Sequence, residues 1–383
     1  MKIASRPLLA VAGDDREAAT DALLFLEEGH SLYARGNTEE AIASWERALE
    51  VDPGLAEAWN RIGKAREADG HHHDAAHSLE RSLSIADEQH EAWFNLGNVE
   101  DARGNYRAAV AAYRRAVEIR PEMGEAWNNL GNALARIGRL DEAVRAYLRA
   151  LEARPELYES WFNLGNTWAD LGELDRAVEA HRRAIEIRPN VLEVWYNLGF
   201  ALSTRGDPEA AADAYRRASA LAPDDYEVGY NLGNACLDAG WYDEAVVAYR
   251  HSLEGFREDH EVWNNLGNAL AQLNRRPEAV VCYKQALQLN PSYDVSWNNL
   301  GNVLDERGDL GAAARAYERA VILAPTVATY HLNRASVLAK QGHDETAIEH
   351  LAIAIDRSPE IARLLPSFPE FTALLTDPRL TPD

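Results

Sequence analysis

Few residues in this chain have types and spacing suited to chemistry, and most of what they offer is hydrogen bonding. His71, His72, His73 and His77 are the only cluster of metal-ligand types, and His73 and His77 stand four apart, a spacing at which two imidazoles can share a divalent ion. They fall where a turn between helices is expected, and polar residues belong there anyway, so no metal or other cofactor is assigned. Cys236 and Cys282 lie far apart at apolar places, which reads as two reduced core thiols rather than a disulfide or a metal pair. There is no Ser/His/Asp set, glycine-rich phosphate loop or CxxC pair. The chain is therefore expected to be non-catalytic.

Side-chain amides are more promising. Asn95, Asn129, Asn163, Asn197, Asn231, Asn265, Asn299 and Asn333 recur every 34 residues. A second series runs Asn98, Asn132, Asn166, Asn234, Asn268 and Asn302, interrupted by Phe200. An amide both donates and accepts, so a column of them can hold the backbone of an extended peptide without reading its side chains. The alternative is that the columns only bond one repeat to the next. Near the break lies an aromatic group, Phe162, Tyr196, Phe200 and Tyr230, with Tyr196 and Phe200 adjacent on a helix. It is either a binding hot spot or ordinary packing between repeats. A third column, Glu57, Glu91, Glu125, Glu159, Glu193, Glu227 and Glu261, stops at Val295. Helix dipoles favour glutamate in a first turn by about 0.3–1 kcal/mol, which explains the column without a ligand. It still sets a negative edge that prefers a neutral or basic partner.

The elements that carry these columns repeat with the same period. Trp127-Asn128-Asn129-Leu130-Gly131-Asn132 returns with small changes at Trp93, Trp161, Trp195, Trp263 and Trp297. Ten units fit, opening at Ala22, Ala56, His90, Gly124, Tyr158, Leu192, Tyr226, His260, Asp294 and Ala328. Each reads as two helices. The first stops at a glycine such as Gly104 or Gly138, replaced only by Asn274, as a left-handed residue after a helix end requires. The second carries Ala-x3-Tyr-x2-Ala, as in Ala143, Tyr147 and Ala150, before a proline such as Pro155 prevents continuation. In the fourth unit the first helix has Trp127, Leu130, Gly131 and Leu134 on its packing side, with Gly131 letting the two helices approach. Glu125, Asn129, Asn132 and Arg136 lie on the opposite, polar side. With places counted from the residue that opens each unit, Arg66 and Glu100 both stand at place eleven of successive units, where an ion pair between repeats is expected. Gly229, Arg257, His331 and Ala335 depart from the pattern. Trp241 follows Gly240 in a turn and is expected at the outer edge.

The pattern Trp-x2-Leu-Gly, Ala, aromatic, Pro resembles the tetratricopeptide repeat and covers residues 22–361. That resemblance implies an all-α fold, a right-handed α-solenoid of stacked antiparallel helix pairs, with first helices lining a concave groove that takes a peptide or a partner's helix. The asparagine columns are similar to the asparagine ladder of O-linked N-acetylglucosamine transferases, a likeness of binding surface only, since the 22 residues after the repeats are too few for a transferase domain. The family's carboxylate clamp for chaperone tails needs Lys and Arg where these columns carry Asn and Glu; Arg61 and Lys64 are isolated exceptions, so chaperone-tail binding is not expected.

The 383 residues carry a formal net charge of -23, which argues against a nucleic-acid partner, because phosphate binding needs clustered cations. No apolar run is long enough for a membrane span, and no membrane partner is expected. Residues 1–21 read as a loose leader followed by the start of the first helix, with Asp14 or Asp15 as its N-cap. Pro7–Ala12 is short for a signal peptide, so a cytoplasmic setting is expected. Residues 362–383 read as a capping tail with one short helix around Glu370–Leu375. The expected function is a protein-binding scaffold or adaptor for an extended, neutral to basic peptide. The alternative is a self-associating repeat protein that forms homo-oligomers through its ends or outer face.

Overall fold

The computed structural model describes residues 8–380, with side chains from residue 19 onward. Every long element among them is a helix, and consecutive helices pack as antiparallel pairs. The chain divides into two units. The first ends at Pro189 and the second begins at Asn190. The first unit holds α1 (Leu8–Ala34), α2 (Thr38–Val51), α3 (Ala56–Ala68), α4 (His72–Ile85), α5 (His90–Ala102), α6 (Tyr106–Ile119), α7 (Gly124–Arg136), α8 (Leu140–Ala153), α9 (Tyr158–Asp170) and α10 (Leu174–Ile187). The second holds α11 (Leu192–Arg205), α12 (Pro208–Leu221), α13 (Tyr226–Asp238), α14 (Tyr242–Gly255), α15 (His260–Gln272), α16 (Arg276–Leu289), α17 (Asp294–Glu306), α18 (Leu310–Leu323), α19 (Ala328–Lys340) and α20 (Asp344–Arg357).

Local chemistry sets these boundaries. Nine glycines between paired helices have positive φ, and Asn274, where the period calls for glycine, has φ 58°. Asparagine is the residue that best tolerates this left-handed conformation after glycine. Between the paired helices, a Cβ on Gly131 would lie 2.5 Å from the Tyr147 ring. Only a hydrogen fits there, so the ring seats flat against the neighbouring backbone. Around this contact Leu130, Leu134, Ala143, Val144 and Tyr147 form one buried cluster of the first unit.

Within each unit the first helices of successive repeats touch directly, as α5 with α7 and α15 with α17, whereas no two successive second helices come as close. The closer-spaced row lies on the inside of the curve, so first helices line the concave side of each unit. The place-four tryptophan clamps the turn before it. The indole N–H of Trp127 donates to the Pro121 carbonyl at 2.8 Å; Trp161 and Trp297 bond Pro155 and Pro291 likewise at 2.9 Å, and Trp263 bonds the carbonyl of Arg257, which stands in the proline's place, at 2.9 Å.

Several expectations need correction. The expected leader falls partly on residues 1–7, which lie outside the described residues; from Leu8 the chain is already helical, so Asp14 and Asp15 sit within α1 rather than capping it. Leu8-Leu9-Ala10-Val11-Ala12 favours helix strongly enough to absorb the cost of Gly13, about 1 kcal/mol. The tail has no helix over Glu370–Leu375. It folds instead as a four-residue helix α21 (Ile361–Leu364) and short 3-10 turns at Leu365–Ser367, Pro369–Phe371 and Pro378–Leu380, because its prolines interrupt longer helices. Phe371, Leu374 and Leu380 pack with Leu332 and Leu351 of α19 and α20. Arg66 and Glu100 do not pair. Arg66 bonds Glu46 at 2.9 Å, and Glu100 is held by Arg103 and Asn105.

Candidate functional site

The asparagines of place six and place nine meet, but on a diagonal. Asn129 of α7 donates through Nδ2 to Oδ1 of Asn98 on α5, the preceding first helix, at 3.2 Å. Asn163 donates to Asn132 at 2.9 Å, Asn265 to Asn234 at 3.2 Å, Asn299 to Asn268 at 3.0 Å and Asn333 to Asn302 at 3.4 Å. Each acceptor oxygen takes a second bond from the tyrosine of its own repeat's second helix. Tyr113, Tyr147, Tyr249, Tyr283 and Tyr317 donate to Asn98, Asn132, Asn234, Asn268 and Asn302 at 2.7–2.8 Å. Burial pushes all five phenols above their ordinary pKa, so they remain donors.

This arrangement fixes the amide orientation. Two donors converge on each place-nine oxygen, and a flipped amide would set its N–H against the place-six N–H and leave the phenol to act only as an acceptor. At Asn98, Asn132, Asn234, Asn268 and Asn302, all half-buried, the place-nine Nδ2 groups, two hydrogens each, make no hydrogen bond among the described residues. Each unit thus presents a row of preoriented N–H donors on its first-helix face. The place-six amides are committed to the stack. Asn95 is itself buried and donates to Asn60 at 3.0 Å.

The row is interrupted around the division between the units. His181 replaces the tyrosine behind Asn166, and neither ring nitrogen has a partner. Burial depresses its pKa to about 4. Asn166 closes the column in the first unit and Asn197 opens it in the second. Place nine of the next repeat is Phe200, whose side chain is 54% exposed. Asn231 then turns to the Tyr196 hydroxyl at 3.2 Å and to the Glu227 carbonyl of its own helix at 3.1 Å. Tyr196 in turn donates to the Glu227 carboxylate at 2.9 Å.

The place-five aromatics pack within their own repeats. Tyr196 meets Tyr215 edge-on at 5.7 Å, Tyr230 lies 6.3 Å from Tyr249, and in the first unit Phe162 lies 6.1 Å from His181 and stacks on Tyr158. Of the four aromatics singled out from the sequence, Phe200 is the one that projects openly into solvent. In the glutamate column Glu125 and Glu159 bond Arg154 and Arg188 at 2.7 and 3.2 Å, while Glu91, Glu193 and Glu261 are exposed without an ion partner.

The other candidates carry less. His73 and His77 are exposed, and no group of three or more metal-ligating side chains occurs among the described residues. Cys236 and Cys282 are unpaired and buried, and burial raises their thiols to about 12 and about 11. Trp241 is half-buried at the start of α14, with the Arg216 guanidinium 5.5 Å from its ring centroid. No described helix is long and apolar enough to cross a membrane. The sequence did not reveal which way each amide points, because that is decided by the phenol behind it; the fixed Asn–Tyr spacing within each repeat was the available signal.

Helix pairs of fixed length, left-handed turns and tyrosine-backed asparagines in register define a helical-repeat protein. The chain belongs to the tetratricopeptide-repeat proteins: two repeat models match residues 29–70 and 97–138, and 264–326 and 298–360, and a model of the C-terminal domain of cilia and flagella-associated protein 70 matches residues 124–293. No curated protein sequence matches the chain. Among solved structures, it is similar to YrrB, a TPR protein with an unusual peptide-binding site, at 22% identity and TM-score 0.46, over 49% of this chain and 96% of that one. It is similar to MamA at 30% identity and TM-score 0.40, over 42% of this chain and 95% of that one. A third likeness is to an APC/C hetero-tetramer, Cut9-Hcn1, at 18% identity and TM-score 0.43, over 92% of this chain and 75% of that one.

Proposed function

We propose that this protein is a non-catalytic scaffold whose concave first-helix face holds an extended segment of a partner protein. One observation carries the reading: Asn98, Asn132, Asn234, Asn268 and Asn302 have their oxygens occupied by tyrosine and asparagine donors, which leaves their N–H groups oriented and available to a ligand. Such a row suits the carbonyls of an extended backbone and is indifferent to side-chain sequence. Phe200 adds an apolar anchor in the second unit, and the unpaired Glu91, Glu193 and Glu261 favour neutral or basic segments. The net charge of -23 supports a protein partner over nucleic acid. A cytoplasmic setting belongs to the same proposal.

The test replaces the donor and keeps the acceptor. In Asn132→Asp, Asn268→Asp and Asn302→Asp combined, Oδ1 still accepts from tyrosine while the outward N–H2 becomes an oxygen. Capture from lysate, followed by protease mapping of the bound segment, should show wild type holding an extended segment and the triple variant losing it at unchanged helicity. Retention of the same segment by the variant overturns the reading.

One feature favours the second reading, self-association. Leu24 occupies a place that is buried in every later repeat, yet it is 62% exposed on α1, with Leu23 beside it at 54%. The opposite end is covered by the tail. Sedimentation of wild type and Leu24→Glu over a concentration series separates the two readings: a concentration-dependent dimer lost in the variant supports association through this end.

A further inference from the structure

In two repeats a guanidinium lies over the place-four aromatic. The Arg319 guanidinium lies 6.0 Å from the Trp297 ring centroid, and in the first repeat Arg47 lies 4.0 Å from that of Phe25. Arg81, Arg115, Arg149, Arg183 and Arg217 occupy the corresponding position in repeats two to six, where Arg115, Arg149 and Arg183 bond Glu118, Glu152 and Glu186 of their own helices instead. Repeat seven has no tryptophan; Gly229 stands there, and His251 fills the space, 2.9 Å from where a Cβ would be. Repeat eight alone combines the tryptophan, Trp263, with a short neutral residue at the arginine position, Gln285.

A cavity of about 840 Å³ opens at that point, between α14, α15 and α16, with Trp263, Leu253, Leu266, Leu270 and Val281 in its wall. Its surroundings are unusually apolar for an outer helix face. Val281 is 63% exposed, and Val247, one repeat earlier, is 68% exposed. The same position carries Arg145, Glu179, Asp213 and Arg315 in other repeats. On the rim Arg250 pairs with Glu278 at 3.3 Å, while Glu254 and Arg257 have no ion partner.

We propose that this cavity is a second binding site, separate from the concave face, that receives an arginine from a partner protein together with an apolar neighbour. The guanidinium takes the place on the Trp263 ring that Arg319 takes on Trp297, with the Glu254 carboxylate on the same rim. The aliphatic stem and the apolar neighbour cover Val281 and Leu253. Cation–π contact with tryptophan is strongest when the cation is desolvated, which a cleft provides and a flat surface does not. The net charge of -23 draws cationic segments toward the chain and outweighs the single unpaired Arg257 on the rim.

The experiment uses the full chain with 15N-labelled tryptophan, whose ten indole signals report separately, Trp263 being assigned by its loss in Trp263→Phe. The probe is the capped tripeptide Leu-Arg-Leu, against the same peptide with uncharged citrulline for arginine. The expected result is a saturable shift of the Trp263 signal, with about fivefold or weaker affinity for the citrulline peptide. The shift should vanish in Gln285→Arg, which restores the residue of the other repeats, and in Val281→Arg, which copies Arg315. Equal response to both peptides overturns the cation's role. A shift that persists in both variants, or no shift, overturns the site. A Trp263 signal that moves with protein concentration alone assigns the cleft to a second copy of the chain and overturns the proposal as well.

Discussion

The hydroxyl of Tyr147 donates to Oδ1 of Asn132 at 2.8 Å, from a ring pressed against Gly131. Three features of one repeat meet there. The glycine admits the ring, the ring brings the hydroxyl to the first-helix face, and the hydroxyl sets the amide so that its N–H groups point away from the core. The packing of a helix pair thereby orients a polar group on the opposite side of the helix.

Tyr147→Phe removes only the hydroxyl. The ring still fills its place, so the loss should be that of one partly buried hydrogen bond, about 1 kcal/mol by denaturant titration. The amide keeps the Asn163 donor and is less firmly oriented. A bound segment should therefore dissociate faster from Tyr147→Phe, whereas Arg149→Lys, an exposed control on the same helix, should change neither quantity.

His181 occupies the tyrosine position in the fifth repeat, buried with both nitrogens unpartnered. His181→Tyr should stabilise the first unit by about 1–3 kcal/mol, since it removes an unsatisfied buried group and supplies the ring and hydroxyl that other repeats use. A lower melting temperature in the variant would show that Gly165 and its neighbours do not admit the larger ring.

Much of the fold was legible because its signals are local. Asn274 standing for glycine reports a backbone angle, and Tyr147 after Ala143 reports a helix face. Relations between repeats were harder. Arg66 and Glu100 share a place in the period, yet stacked first helices do not set like places side by side. The observed bonds run from Asn163 to Asn132 and Asn128, separations of 31 and 35 residues rather than one period. An offset of this kind follows from how the helices cross, which sequence spacing does not contain. The tail was misread for a related reason, because its turns are set by prolines and by the shape of the surface that Phe371 fills.

Acid should loosen the tenth repeat. His331 bonds the Pro325 carbonyl through Nε2 at 3.1 Å, and a carbonyl only accepts, so Nε2 carries the proton and Nδ1 the lone pair. His350 then donates through its own Nδ1 at 2.9 Å. Burial depresses both pKa values, and nearby Arg334 adds to it, taking His350 to about 4. Since the folded values lie below the ordinary 6.5, the stabilising neutral form is fully present above that pH, and its contribution is lost as pH falls from 6.5 through about 4. Hydrogen exchange of α19 and α20 should rise across that window. The double variant His331→Trp and His350→Ala, which reproduces Trp297 and Ala316 of the preceding repeat, should flatten the rise.

The tail offers the most direct test of how far one repeat's stability extends. Phe371 is fully buried against α19 and α20, and Arg379 ties the tail to Glu345 at 2.7 and 3.0 Å. Phe371→Ala should cost about 3–5 kcal/mol, as expected for a large buried side chain whose cavity cannot fully collapse. In a repeat array each unit contacts only its neighbours, so the loss should stay local. Limited proteolysis should then cut between α19 and α20 at Gly342, while α7 and α8 keep their protection. Arg379→Ala, which removes exposed ion pairs only, should cost well under 1 kcal/mol. If both variants lowered the protection of α7 and α8, the repeats would be unfolding as one cooperative block, and the reading of the tail as a local cover for the last helix pair would fail.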